Sequence, residues 1–149
     1  MRHAAILLSL ALAVLPACAQ EGEEAARQDA ALVAASTDAA VKAAGSWLAI
    51  LDAGKYEESW SNAAASLRGV VTQAKWVDGL RAVRAPVGKT GARTLTSSHY
   101  TRALPGAPAG EYVILQYSTD FAGKPGAVET VVPMRDADGS WRVSGYYIK

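Results

Sequence analysis

One cysteine, one phenylalanine, two histidines and two methionines are all that 149 residues contain, and each shortage closes off a chemistry. The lone thiol, Cys18, leaves no disulfide within the chain. His3 falls in an apolar N-terminus, so His99 is the histidine left for a folded body. With no Cys pair and no His-x-x-x-His spacing, a transition-metal site lacks its ligand set. An excess of one charge is missing too: fifteen Lys and Arg balance fourteen Asp and Glu, with no like-charge run beyond the short "EGEE". That removes the electrostatic footprint of nucleic-acid or anionic-membrane binding. Ser144 in "VSGYY" has no Gly-x-Ser-x-Gly elbow around it, and "GKTGAR" departs from the phosphate-loop spacing. No motif points to a cofactor. Asp136 and Asp138 in "DADG" open like a calcium loop but lack the later ligands and the closing glutamate, so the stretch reads as a hairpin turn.

What is present begins with a leader. Residues 1–19 read as a secretory signal: Arg2 and His3 give a charged start, Ala4 to Leu15 an apolar run, and small residues follow Pro16. Two cleavage readings stand side by side. "ACA" before Gln20 suits the general signal peptidase, whereas "LPAC" resembles a lipobox, which would end the signal at residue 17 and make Cys18 the lipidation site. Both readings put the mature protein outside the cytoplasm, periplasmic or secreted in the first case and an outer-membrane lipoprotein anchored through Cys18 in the second. Residues 20–36 are polar and Ala-rich, a tether, and residues 37–149 form a single α+β domain.

Three helices are expected at the start of that domain. Ser36, Thr37 or Asp38 caps the first, whose stripe is Val41, Ala44, Leu48 and Leu51 with Trp47 and Ile50 beside it, and Gly54 stops it. "KYEESWSNAAASL" makes the second, through Tyr56, Trp60, Ala63, Ala64 and Leu67. Thr72 caps the third, "QAKWVDGLRAV", which turns Trp76, Leu80 and Val83 inward and Arg81 and Arg84 away, until Pro86 and Gly88 end it. From Gly91 the period changes to two. Strands are expected at "ARTLTSSHYTR", "EYVILQYSTDF", "AVETVVPMR" and "SWRVSGYYIK", the last three joined by short hairpin loops into an antiparallel meander.

Pairing Met134 with Trp141 across "DADG" assigns the faces. The core side then holds Val113, Leu115 and Tyr117, next Val128, Thr130, Val132 and Met134, and finally Trp141, Val143, Gly145 and Tyr147. The other side carries Tyr112, Ile114, Asp120, Glu129, Arg142, Tyr146 and Ile148. It is too apolar for plain solvation, which suggests a homodimer interface or a cover.

Helices followed by a curved antiparallel sheet resemble the nuclear transport factor 2-like superfamily, a cone of four strands around the first helix. More narrowly, "WLAILDAGKYEESW", "RAPVG", "LPGAPAGEYVILQYSTDF", "AVETV" and "DGSWRVSGYYIK" are similar to the bacterial secreted family called domain of unknown function 4019, over about Ala39 to Lys149. The resemblance implies a fold and an envelope location, and no reaction. Enzymes of the superfamily aim a carboxylate or a His–Asp pair into the cone, where burial raises a carboxylate pKa. Among Asp52, His99, Asp120 and Glu129, the weak candidates for a base here are Glu129 and His99. With Glu129 and Asp120 turned from the core, the inner wall (Tyr117, Thr119, Thr130, Tyr147) lacks its base; Glu129 reads as a cross-strand partner of Arg142 or Tyr146, and His99, which shares the parity of Leu95 and Arg93, as a satisfied strand histidine. Arg81, Arg84 and Arg93 would clamp an anion only if the fold gathered them. The expectation is a non-enzymatic envelope domain that binds a small apolar ligand or an envelope protein, with Trp47, Trp60, Tyr117, Trp141 and Tyr147 as candidate pocket lining. The alternatives are an isomerase- or lyase-like enzyme using Glu129 or His99, and an interaction module without a cavity.

Overall fold

A run of good helix formers carries the first helix, α1 (Ala17–Asp52), well past the cap expected at Ser36–Asp38. Thr37 does not cap: its hydroxyl donates back along the helix to the Val33 carbonyl at 2.8 Å, the way a mid-helix threonine satisfies itself. The computed structural model describes residues 17–149, with side chains from Gln20 onward. The leader read over residues 1–16 and the Cys18 side chain therefore lie outside the described residues. Two units divide the chain, the residues up to Ala31 and Leu32–Lys149. In the first, residues 20–31 are exposed, and Arg27 pairs along the helix with Glu23 at 3.4 Å. Among the described residues no helix is long and apolar enough to cross a membrane.

The second unit is α+β. Four helices, not three, accompany its sheet: the C-terminal part of α1, then α2 (Tyr56–Ser61), α3 (Ala65–Val70) and α4 (Gln73–Arg84). The stretch expected as one helix after Gly54 breaks at Asn62–Ala64 because Ala64 spends its N–H on the carbonyl of Val143, at 2.8 Å. An amide committed to a distant strand cannot continue a helical ladder. Thr72 caps α4 as expected, accepting from the Lys75 amide at 3.4 Å.

The strands are β1 (Thr90–Thr101), β2 (Tyr112–Phe121), β3 (Lys124–Arg135) and β4 (Trp141–Ile148), in one open antiparallel sheet of order β1-β2-β3-β4. Ala40, Ala44, Trp47, Leu48 and Leu51 of α1 pack on Val113, Leu115, Tyr117, Val131, Val143 and Tyr146. The faces of β3 and β4 differ from the expected ones for two reasons. Met134 pairs with Arg142 rather than Trp141, and on the other side Leu115 pairs with Val131 and Tyr117 with Glu129, so β3 is one residue out of the expected register against both neighbours, which turns Val131 and Glu129 inward and Val132 outward. Then Pro133 pairs with Val143 but Val132 with Gly145, so Ser144 is an extra residue, a bulge. Beyond it the parity reverses: Tyr146 is buried, whereas Tyr147, expected in the core, is 60% exposed.

The opposite face has its own apolar cluster of Ala64, Tyr112, Val132 and Met134, with Leu104, Ala107 and Ile114 against it. Over this stretch the cover is supplied by the chain itself, and the Tyr112 hydroxyl pins it by donating to the Pro108 carbonyl at 2.7 Å.

Candidate functional site

Glu129, expected on the outer face, is completely buried on the inner one. Around it the fold gathers two acids and two arginines that span the sequence from Asp52 to Glu129. Asp52 ends α1, Arg84 ends α4, Arg93 comes from β1 and Glu129 from β3. Arg84, expected to face outward, is 6% exposed because the buried face of α4 runs through Val77, Leu80 and Arg84. Arg93 reaches both acids. Its Nε and Nη2 hold the Glu129 oxygens at 2.5 and 3.2 Å, and its Nη1 and Nη2 hold those of Asp52 at 2.7 and 3.1 Å. Arg84 donates through Nη2 to Asp52 at 2.7 Å and through Nη1 to the Tyr146 hydroxyl at 2.9 Å, with the Glu129 Oε1 at 3.5 Å.

Hydroxyls complete the set. Tyr146 donates to Glu129 Oε1 at 2.5 Å, Thr119 to Oε2 at 2.9 Å, and Thr90 to Asp52 Oδ1 at 2.8 Å. Thr90 and Arg93 differ in strand parity and would point to opposite faces of a regular strand. A register shift between them brings both to Asp52. Gly91 permits it, since a Cβ there would stand 2.9 Å from the Asp120 carbonyl oxygen.

The electrostatics follow from this packing. Burial pushes the Asp52 carboxyl up, but the hydrogen bonds from Arg93, Arg84 and Thr90 outweigh it and hold it below the ordinary carboxylate value. Burial, and then the neighbouring Glu129 charge, drive the Tyr146 phenol far above its usual range, so it stays a donor. Burial also raises the Tyr117 phenol. In Arg93 burial is outweighed by hydrogen bonds to Asp52 and Glu129, which strengthen its hold on its proton.

Chemically, the arrangement is closed. A carboxylate offers about four lone-pair sites. Those of Glu129 are taken by Arg93, Arg84, Tyr146 and Thr119, and among the described residues no buried side-chain polar atom lacks a partner. A general base needs a lone pair within reach of a substrate proton. A cleft of about 520 Å³ opens beside the network, lined by Asp52, Arg84 and Thr90 together with Tyr56, Arg81 and Lys89, and Glu129 does not line it. The gathered arginines are likewise spoken for. Arg81 stays outside on Glu57 and Asp78, each at 3.7 Å.

The remaining candidates scatter. His99 is exposed on β1: a shift in register between Leu95 and Ser97 gives the inner position to Tyr100, and His99 pairs with Ile114. Asp120 is exposed and accepts from the Gly126 amide at 2.8 Å. Trp47 is buried, its indole N–H donating to the Ser59 carbonyl at 2.8 Å, and Trp60 donates to the Val71 carbonyl at 2.8 Å. Trp60 is partly buried and stands outside the main cluster, whereas Trp47, satisfied and packed within it, is a core tryptophan. Tyr117 is buried in the same core. Trp141 is half-buried against it and shares with Trp47 a small cleft of about 210 Å³. Tyr147 lines a different cleft, between α3 and β4. Of the partners expected for Glu129, Tyr146 bonds to it. Arg142 instead holds Asp136 at 2.9 Å and Asp138 at 2.8 Å, which ties down the "DADG" turn.

From sequence, Asp52 is one of four acid–base groups and Arg84 one of three arginines, with nothing to pair them. Their signal is that each ends a helix at a position belonging to its apolar stripe, Asp52 directly after Leu51 and Arg84 four residues after Leu80. No curated protein and no solved structure matches the chain. A family described as proteins of unknown function, DUF4019, matches residues 43–146, which hold all four charged residues of the network, and to this family the chain belongs.

Proposed function

We propose that the protein works outside the cytoplasm of a bacterium as a non-enzymatic binding domain, built on a cone of the nuclear transport factor 2-like type, for a small apolar ligand or an envelope protein. The apolar leader and the small residues around Cys18 support the location, as a periplasmic or secreted protein or as an outer-membrane lipoprotein. One observation carries the non-enzymatic part. Glu129, buried on the inner face where a superfamily base would need to be, has every lone pair bonded and does not line the cleft beside the network. His99, the other candidate, is exposed on the far side of β1.

Native mass spectrometry of the protein purified from its own envelope fraction tests this reading. The expected result is a chain beginning at Cys18 or Gln20 that carries a molecule or partner and releases it chemically unchanged. Recovery from the cytoplasm, or a bound molecule converted during incubation by the wild type and not by Glu129→Gln, overturns it.

A further inference from the structure

On the face of the sheet opposite α1, the chain builds a cleft of about 320 Å³ from three walls: α3, the loop at residues 104–108, and β4. Its surface is Leu67, Val70, Leu104, Pro108, Tyr112 and Tyr147, its hydroxyls are those of Ser66, Ser144 and the two tyrosines, of which Tyr112 is committed to Pro108, and it has no charged residue. We propose that this cleft is the ligand site, and that it takes a small uncharged molecule with an apolar body and one hydrogen-bond donor. The proposal rests on the binding reading above and names the place and the class of ligand.

Three observations set the class. The volume equals about ten waters, at the small end of ligand clefts and too confined for a folded element of another protein. A charged ligand would be desolvated against a lining that offers no counter-charge, whereas an uncharged apolar one gains from leaving water. The serines point to the polar group, and the Tyr147 phenol at the rim can accept from it as well. Ser66 Oγ already donates to Met134 Sδ at 2.8 Å and Ser144 Oγ to the Val132 carbonyl at 2.9 Å, so what each hydroxyl has left to offer is an acceptor lone pair. A ligand hydroxyl or N–H matches that.

The cleft is also prepared in advance. The Tyr112–Pro108 hydrogen bond fixes the loop wall, and the Ser144 bulge aims Tyr147 outward to form the rim. Gly145 adds no side chain to the floor, where a Cβ would fill the space up to the Tyr147 ring, in contact at 3.4 Å. Val70 and Tyr147, 84% and 60% exposed, are large apolar side chains left uncovered at this edge.

The test uses 1-naphthol, uncharged with one hydroxyl, and its anionic counterpart 1-naphthalenesulfonate, titrated into the mature chain and followed through backbone amide NMR shifts. Saturable shifts from naphthol at Val70, Gly106 and Gly145 are expected, with weaker binding of the sulfonate. Val70→Glu and Tyr147→Glu, both at exposed positions, should each weaken naphthol about tenfold, as loss of one apolar contact predicts, with an unchanged unfolding midpoint. Absent shifts, shifts centred on Trp47 and Trp141, equal affinity for the sulfonate, or variants that bind like wild type overturn the proposal. In any of these cases an unchanged molecule retained in the native mass spectrum leaves the broader binding reading standing, so the two fail separately.

Discussion

The molecule contains the same chemistry twice, in two settings. In the "DADG" turn Arg142 holds Asp136 and Asp138, and the Asp138 and Arg142 side chains are 55% and 30% exposed. Under the sheet Arg84 and Arg93 hold Asp52 and Glu129, and the Glu129 side chain is fully enclosed. At the turn water competes for the Arg142–Asp138 contact, and Asp136, though only 7% exposed, keeps a second donor in the Ala65 amide, so these charges trim a loop and contribute little to stability. Underneath, the desolvation cost is large and is met only because the charges are matched two against two and every hydroxyl nearby is turned to serve them. Removing one member there strands the others, whereas at the turn water takes over.

That contrast can be broken or sharpened by substitution. Arg93→Ala leaves two acids short of their main donor and should cost about 3–5 kcal/mol in urea unfolding, the range for breaking a buried pair. Gly91→Ala attacks the network through the backbone. Its Cβ meets the Asp120 carbonyl, so a loss of about 1–3 kcal/mol, as for overpacking, should appear with both clusters' partners intact. Acid probes the network through Asp52. Asp52 is held below its ordinary value, so at low pH the unfolded chain binds more protons than the folded one. Its contribution is complete above about pH 4 and drains as pH falls through the folded value. Asp52→Asn should therefore flatten the acid limb of a stability–pH curve without moving the neutral plateau's shape. Arg142→Ala should change stability by no more than about 1 kcal/mol, and that difference should vanish in high salt.

Sequence patterning reached some of this architecture and stopped at identifiable places. The four strands, their order at the meander, the Thr72 cap and the inner trio Val113, Leu115 and Tyr117 follow from period and turn chemistry, and all are present. Faces were lost at β3 and β4, because a one-residue difference at the "DADG" turn and an unsignalled bulge at Ser144 each invert parity. Glu129 went with them. The helix break at Ala64 was hidden because its cause, the Val143 carbonyl, lies 79 positions away in sequence. Arg84 and Arg93 looked like surface charges for the same reason, since local pattern does not report which distant acid will meet them.

The most direct test of the claim that Glu129 anchors the fold and performs no reaction is the equilibrium unfolding of Glu129→Ala. A structural anchor on which the buried Arg84 and the largely enclosed Arg93 depend predicts a loss of about 3–5 kcal/mol. A base maintained for catalysis at the expense of stability predicts a variant as stable as the wild type or more so, and that result would contradict the account.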